Sequence, residues 1–173
     1  GSKVVDKEGN PLVTYHWSKD GNITEFRTLQ DFGKRKAPYA GNIGAWFAST
    51  PESASNIAKV RSGSEGAVYP VFLSIKNPKE YLTYNSFKSD LEKSRTPKGF
   101  QDRLMKEGYD GIVIRNSSTD FAGVRDDWVA FKPEQIKSAT GNVGTFSPEL
   151  KDIRHLGSSR GPVLSDEGRA FVD

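Results

Sequence analysis

Three β-prone runs lie far apart in this chain, and each carries a residue that a purely structural strand has no need of. They are LVTYHWS from Leu12 to Ser18, GAWFASTPESA from Gly44 to Ala54, and DDWVAFKPEQIKSA from Asp126 to Ala139. Short strands bury their apolar positions in a sheet and present the remainder at its edge, so a histidine, an aromatic and an acid are set to converge on a cleft. Any fold that satisfies all three must bring these distant runs side by side.

The chain has the means to do so. With 173 residues, 35% hydrophobic, and three Trp, six Tyr and ten Phe, it can bury a real core, and one domain with a tail is expected. Cysteine is absent and histidine occurs twice, which excludes disulfides and thiolate metal sites and argues against a His-rich metal centre. No apolar run approaches the length of a membrane span, and the first residues lack the grammar of a signal peptide, so a soluble protein is expected. Gly1-Ser2 reads as a cloning scar, and the chain as a segment of something longer. The formal charge of +3 is mild, and the cluster Lys34-Arg35-Lys36 reads as solvated surface, permitting a nucleic-acid partner without demanding one.

Local signals predict the elements. Lys3-Val4-Val5 and Leu12 to His16 flank a Gly/Asn turn, so the chain opens with a hairpin or with a strand after a turn, which leaves His16 at a strand end. Ile23, Phe26, Leu29 and Phe32 are spaced three apart, as in a helical turn or packed loop covering a cleft. Ala45 to Ala48 is strand-like, and Ser49-Thr50-Pro51-Glu52 starts a helix running to about Val60. A Gly/Ser loop from Arg61 to Gly66 precedes a strand from Val68 to Ile75, which Asn77-Pro78 breaks. Helices are expected over Phe87 to Lys93 and Phe100 to Lys106, with Gly108 as the stop before a buried strand from Tyr109 to Ile114. A polar loop from Arg115 to Asp126 leads into a strand from Trp128 to Phe131, and from Thr140 onward the chain reads as mostly irregular. Strands outnumber helices without regular alternation, so the fold class is α+β with a mainly antiparallel, split sheet.

YHWS, GAWFAST with its capped helix, and DWVAFKPEQIKSATGN, in that order, resemble the ADP-ribosyltransferase fold in its diphtheria-toxin and poly(ADP-ribose)-polymerase branch. The runs GNPLVTYHWS, VYPVFLSIKNP, GYDGIVIRN and QIKSATGN with GTFSPELKDIRHL are more closely similar to the transferase domains of phage polyvalent proteins and bacterial toxins. The resemblance covers Val4 to Leu156, and implies a transferase domain over 3–156 with an irregular tail over 157–173.

It implies NAD as substrate and no metal. Breaking the bond from nicotinamide to ribose passes through a ribosyl cation, which a carboxylate stabilises, while an aromatic face holds the flat leaving group and a histidine fixes the other ribose. By resemblance His16 binds the adenosine ribose; Trp17 stands at a glycine whose main chain grips the nicotinamide amide, and Ser18 at a small hydroxyl residue. Trp46 takes the stacking position, with Phe47 beside it as core or as second choice. Ser49 or Ser53 hydrogen-bonds the amide, Ser49 being explained equally as a helix cap. Asp127 falls at the catalytic glutamate, one methylene shorter, with Asp126 as a neighbouring alternative. Asp120, Phe121 and Arg125 fall in the loop that presents the acceptor, and Arg125 stands where arginine-modifying toxins carry a second acid.

The resemblance implies a mono-ADP-ribosyltransferase acting on a macromolecular acceptor, protein or nucleic acid, as a phage or bacterial effector or toxin. NAD hydrolysis and a catalytically dead binding module are the alternatives. The expected location is the cytoplasm, including that of a host or target bacterium after delivery. A monomer is expected, away from membranes, with an antidote protein as a candidate partner.

Overall fold

The computed structural model describes residues 1–29, 40–62, 66–119, 123–140 and 151–154. In chain order these contain β1 (Thr14–Ser18), β2 (Ala45–Ala48), α1 (Pro51–Ser62), β3 (Ala67–Leu73), β4 (Pro78–Tyr81), α2 (Tyr84–Leu91), α3 (Pro97–Lys106), β5 (Gly111–Thr119), β6 (Gly123–Ala130) and β7 (Ile136–Ser138). The strands form one seven-stranded sheet in the order β4-β5-β6-β2-β1-β3-β7. Every neighbouring pair is antiparallel except β4 and β5, which run parallel. The architecture is α+β, as the patterning predicts.

The expected split appears as a seam within that sheet. β1 follows β3 through five register pairs, from Thr14↔Val71 to Ser18↔Ala67, and β2 follows β6 through four. Between them, β1 and β2 share only the pair Tyr15↔Ala48. Past that point the halves diverge, and the strand edges that face each other there belong to the first two runs of the sequence argument.

Alternation along the strands sends side chains to two cores. Phe47, Val113, Trp128 and Ala130 join Phe26, Val71 and Ile75 on one face. Ile112, Ile114 and Val129 meet Phe87, Phe100 and Leu104 on the other, beneath α2 and α3. α3 stops where Gly108 turns left-handed at φ 97°, its N–H bonding Met105 O at 3.0 Å and the Tyr109 N–H bonding Leu104 O at 3.0 Å. That paired closure satisfies the last carbonyls and aims the chain into β5.

Gly44 sets how closely β2 approaches β6. A Cβ there would lie 2.4 Å from Val129 Cγ1 and 2.7 Å from the Ala130 carbonyl oxygen, and backbone cannot step aside cheaply. Gly44→Ala is therefore expected to lower stability by about 1–3 kcal/mol, the usual cost of overpacking. A urea unfolding midpoint equal to that of the wild type would refute this account.

Several elements differ from the sequence reading for identifiable reasons. The opening hairpin reduces to an isolated bridge, Val5↔Pro11, around a turn capped by the Asp6 carboxylate. His16 lies inside β1 rather than at its end. Of the two readings of the segment from Ile23 to Phe32, the packed loop is found over 19–29, with Phe26 buried in it, while Phe32 lies outside the described residues. β3 ends at Leu73, and Pro78 opens a further strand instead of ending one, because the first residue of an edge strand needs no donor. The expected polar loop from Arg115 to Asp126 is mostly a hairpin of β5 and β6. In the tail, Ile153 is buried and stitched in place, its N–H bonding Thr24 O and its carbonyl accepting from Ser138 N, both at 2.8 Å.

Candidate active site

A cleft of about 520 Å³ opens at the β1/β2 seam, within the usual range for small-molecule sites of roughly 300–1,000 Å³. His16 substitutes for the missing ladder there. Its Nδ1 lies 2.6 Å from the Trp46 carbonyl oxygen, which can only accept, so Nδ1 carries the proton. Phe26 meets the imidazole edge-on at 4.9 Å and Phe47 lies 5.4 Å from it. Burial among these rings holds the His16 pKa below its ordinary value, against the smaller opposing pull of the Trp46 carbonyl. The ring is thus neutral at pH 7, and its Nε2 keeps a lone pair that can accept from a hydroxyl.

Trp46 is fixed from the other side. Its indole N–H donates to Ala40 O at 2.8 Å, and its ring stands edge-on to Phe87 at 5.5 Å. It remains half-buried and lines the cleft. Phe47 also lines the cleft, yet is 1% exposed and belongs to the core. The segment 19–29 closes a further wall. It is tied down by Gln101, whose amide donates to Thr28 O at 3.2 Å and Ile43 O at 2.9 Å, and by the Tyr69 hydroxyl, which donates to Asp20 O at 2.6 Å.

Asp127 pairs across from Ala48 on β6, on the same sheet face as Trp46 and Val129. It lines the cleft although only 4% exposed. Arg125, two residues earlier on the same strand face, donates Nε–H to Asp127 Oδ1 at 2.7 Å, with both side chains 6% exposed. Burial pushes the Asp127 carboxyl above its ordinary pKa. The Ser117 hydroxyl and the Arg125 guanidinium oppose that push, and Asp126 adds to it. Ser117 lies close enough to favour the charged form, yet its oxygen closes no hydrogen bond of good geometry.

A bulge between Ile114 and Ser117 explains this arrangement, with Asn116 at φ 47° in a conformation that asparagine tolerates. Asp126 caps the Asn116 N–H at 3.1 Å and accepts from Arg115 Nη1 at 3.0 Å, while Arg115 Nε also bonds Glu80 at 2.6 Å. Asp126 is therefore occupied on the opposite strand face, and the cleft receives Asp127.

The other expected residues divide. Trp17 lines the cleft, and its indole packs where Gly66 has no side chain. Ser18 also lines it and accepts from Asp20 N at 3.1 Å. Ser49 does not cap α1: its Oγ accepts from Asp126 N at 3.1 Å and its own N–H bonds Asp126 O at 3.0 Å, extending the β2/β6 ladder. The cap is Thr50, whose Oγ1 accepts from Ser53 N at 3.3 Å and donates to Ser53 Oγ at 2.9 Å. Ser53 is buried at 4% exposure. Arg125 is not on a loop but inside β6, while Asp120 and Phe121 lie outside the described residues. Tyr84, at the start of α2, lines the cleft and has no counterpart in the sequence reading.

Residues 6–146 match the family model described as ADP-ribosyltransferase in polyvalent proteins. The chain belongs to this family. Its members use NAD as substrate and imply a macromolecular acceptor, and the match takes in β1 to β7 and therefore all of the cleft residues above. Among curated proteins and among solved structures, nothing matches.

Proposed function

We propose that this domain is a mono-ADP-ribosyltransferase of a phage or bacterial effector, transferring ADP-ribose from NAD to one group on a macromolecule in the bacterial cytoplasm. The observation that carries the reading is the meeting of His16, Trp46 and Asp127 in one cleft, in a chain of the ADP-ribosyltransferase family. In this proposal neutral His16 accepts a hydroxyl of the adenosine ribose, and Trp46 flanks the nicotinamide. Asp127 faces the ribosyl carbon. When the bond from that carbon to the nicotinamide nitrogen breaks, its electron pair neutralises the leaving ring, and the positive charge passes to the ribosyl group. A carboxylate already held in place lowers the cost of that charge without reorganising. An acceptor then bonds the ribosyl carbon and loses its proton to solvent. Arg125 stands where arginine-modifying toxins carry a second acid, and its guanidinium takes up one oxygen of Asp127, which supports an acceptor other than arginine.

Incubation with labelled NAD and whole bacterial lysate tests the proposal. Labelled macromolecule together with free nicotinamide is the expected result, and separate protease and nuclease treatments then assign the acceptor class. Free ADP-ribose with no labelled macromolecule would make the domain an NAD glycohydrolase. Absence of nicotinamide release would make it a binding module.

A further inference from the structure

Tyr84 has no part in the proposal so far, yet its placement is fixed on two sides. Thr83 caps α2, its Oγ1 accepting from Ser86 N at 3.1 Å, while Ser86 Oγ accepts from Thr83 N at 3.4 Å. This reciprocal box sets the backbone from which Tyr84 departs as the first helical residue. Its ring then leans on Phe87, with centroids 5.6 Å apart and planes at 56°. The same Phe87, with 0% exposure, holds the Trp46 indole at 5.5 Å. One buried ring thus supports two aromatics, and both line the cleft that Asp127 and Arg125 also line.

The two aromatics differ in their polar ends. The Trp46 N–H is committed to Ala40 O. Among the described residues the half-buried Tyr84 hydroxyl makes no hydrogen bond. A phenol in a cleft whose hydroxyl is held by no protein group is suited to a ligand oxygen. Burial, followed by the nearby charge of Asp127 and opposed by Arg125, raises the ionisation of Tyr84 above the ordinary phenol value. The hydroxyl therefore keeps its proton at neutral pH and can donate it.

We propose that Tyr84 is a substrate-contacting residue whose ring flanks the nicotinamide beside Trp46 and whose hydroxyl hydrogen-bonds the nicotinamide ribose next to Asp127. This rests on the reading of the cleft as an NAD site. No proton is transferred: the ring restricts the leaving group and the hydroxyl holds the ribosyl carbon against the carboxylate, so both contributions are positional.

Two variants separate them, each assayed for nicotinamide release and for NAD binding by titration calorimetry, with melting temperature as a control. Tyr84→Phe removes only the hydroxyl, and is expected to lower kcat about tenfold while KM, NAD affinity and melting temperature stay near wild type. Tyr84→Leu also removes the ring and is expected to weaken NAD binding by about tenfold. Wild-type kcat in Tyr84→Phe, or losses that only track a lower melting temperature, would overturn the role of Tyr84 while leaving the NAD reading intact. A wild-type protein that neither binds nor cleaves NAD would overturn both.

Discussion

Asp127→Asn is expected to reduce nicotinamide release from NAD by about two to three orders of magnitude, the usual cost of removing a preorganised group that faces developing charge. The substitution keeps the size and shape of the side chain and removes its charge. Asp127 is 4% exposed and already held by Arg125 at 2.7 Å, so the charge is in place before the substrate arrives. Asp126 cannot take over, because its two oxygens are occupied by the Asn116 N–H and by Arg115 on the opposite strand face. Asp127→Glu tests reach separately. It restores the charge on an arm one methylene longer, and because a displacement of about 1 Å can cost on the order of a hundredfold, release is expected to fall between that of wild type and that of Asp127→Asn. Single-turnover release at saturating NAD, measured well below the melting temperature of each variant, decides the matter. An Asn variant that is folded and releases nicotinamide at the wild-type rate would remove Asp127 from the chemistry.

What the sequence made legible follows from where the physical information is local. AWFA followed by a hydroxyl residue and Pro51 specifies a strand end and a helix start within a few residues, and β2 and α1 are found there. Ser49 and Thr50 are equal as caps in the sequence; the neighbouring strand β6 decides between them by taking Ser49 into its ladder, which leaves Thr50 as the cap. Long-range pairing was the information the sequence lacked. Arg115 to Thr119 is polar and reads as loop, yet antiparallel partners on β6 supply its backbone hydrogen bonds, and a bulge at Asn116 absorbs the irregularity. With that stretch read as loop, Arg125 was assigned to acceptor contact. A strand period of two would have put it on the face of Asp127, where it is found. β4 has the sequence PKEY, with no alternation to detect, and exists because its parallel partner β5 sets its register. Tyr84 gives no local signal, because the chain passes from β3 to β4, at the far edge of the strand order, before α2 begins, a relation that no local spacing encodes.

Replacing Arg125 by methionine is expected to destabilise the fold by on the order of 3–5 kcal/mol at neutral pH, because removing one partner of a buried ion pair leaves the other in a poor solvent. The pair qualifies, with both side chains 6% exposed. The loss should depend on pH in a direction that the carboxyl sets. Burial raises the Asp127 pKa above the ordinary value of 3.8, and Arg125 works against that rise. The folded state thus holds this proton more tightly than the unfolded chain, and the group costs stability as pH rises from the ordinary carboxylate value through the raised one. Without Arg125 the folded value moves further up, so the cost keeps growing to a higher pH. The deficit of Arg125→Met should therefore be smaller where Asp127 is protonated in both proteins, and grow as pH rises to neutrality. For the same reason the acid limb of nicotinamide release should move to higher pH, since in the proposed reaction the carboxylate acts in its ionised form. Urea unfolding below the ordinary carboxylate value, at about pH 3, and at about pH 7.5, paired with a pH profile of release, reads both consequences. A stability deficit of equal size at the two pH values, with an unmoved acid limb, would mean that Arg125 acts through packing alone.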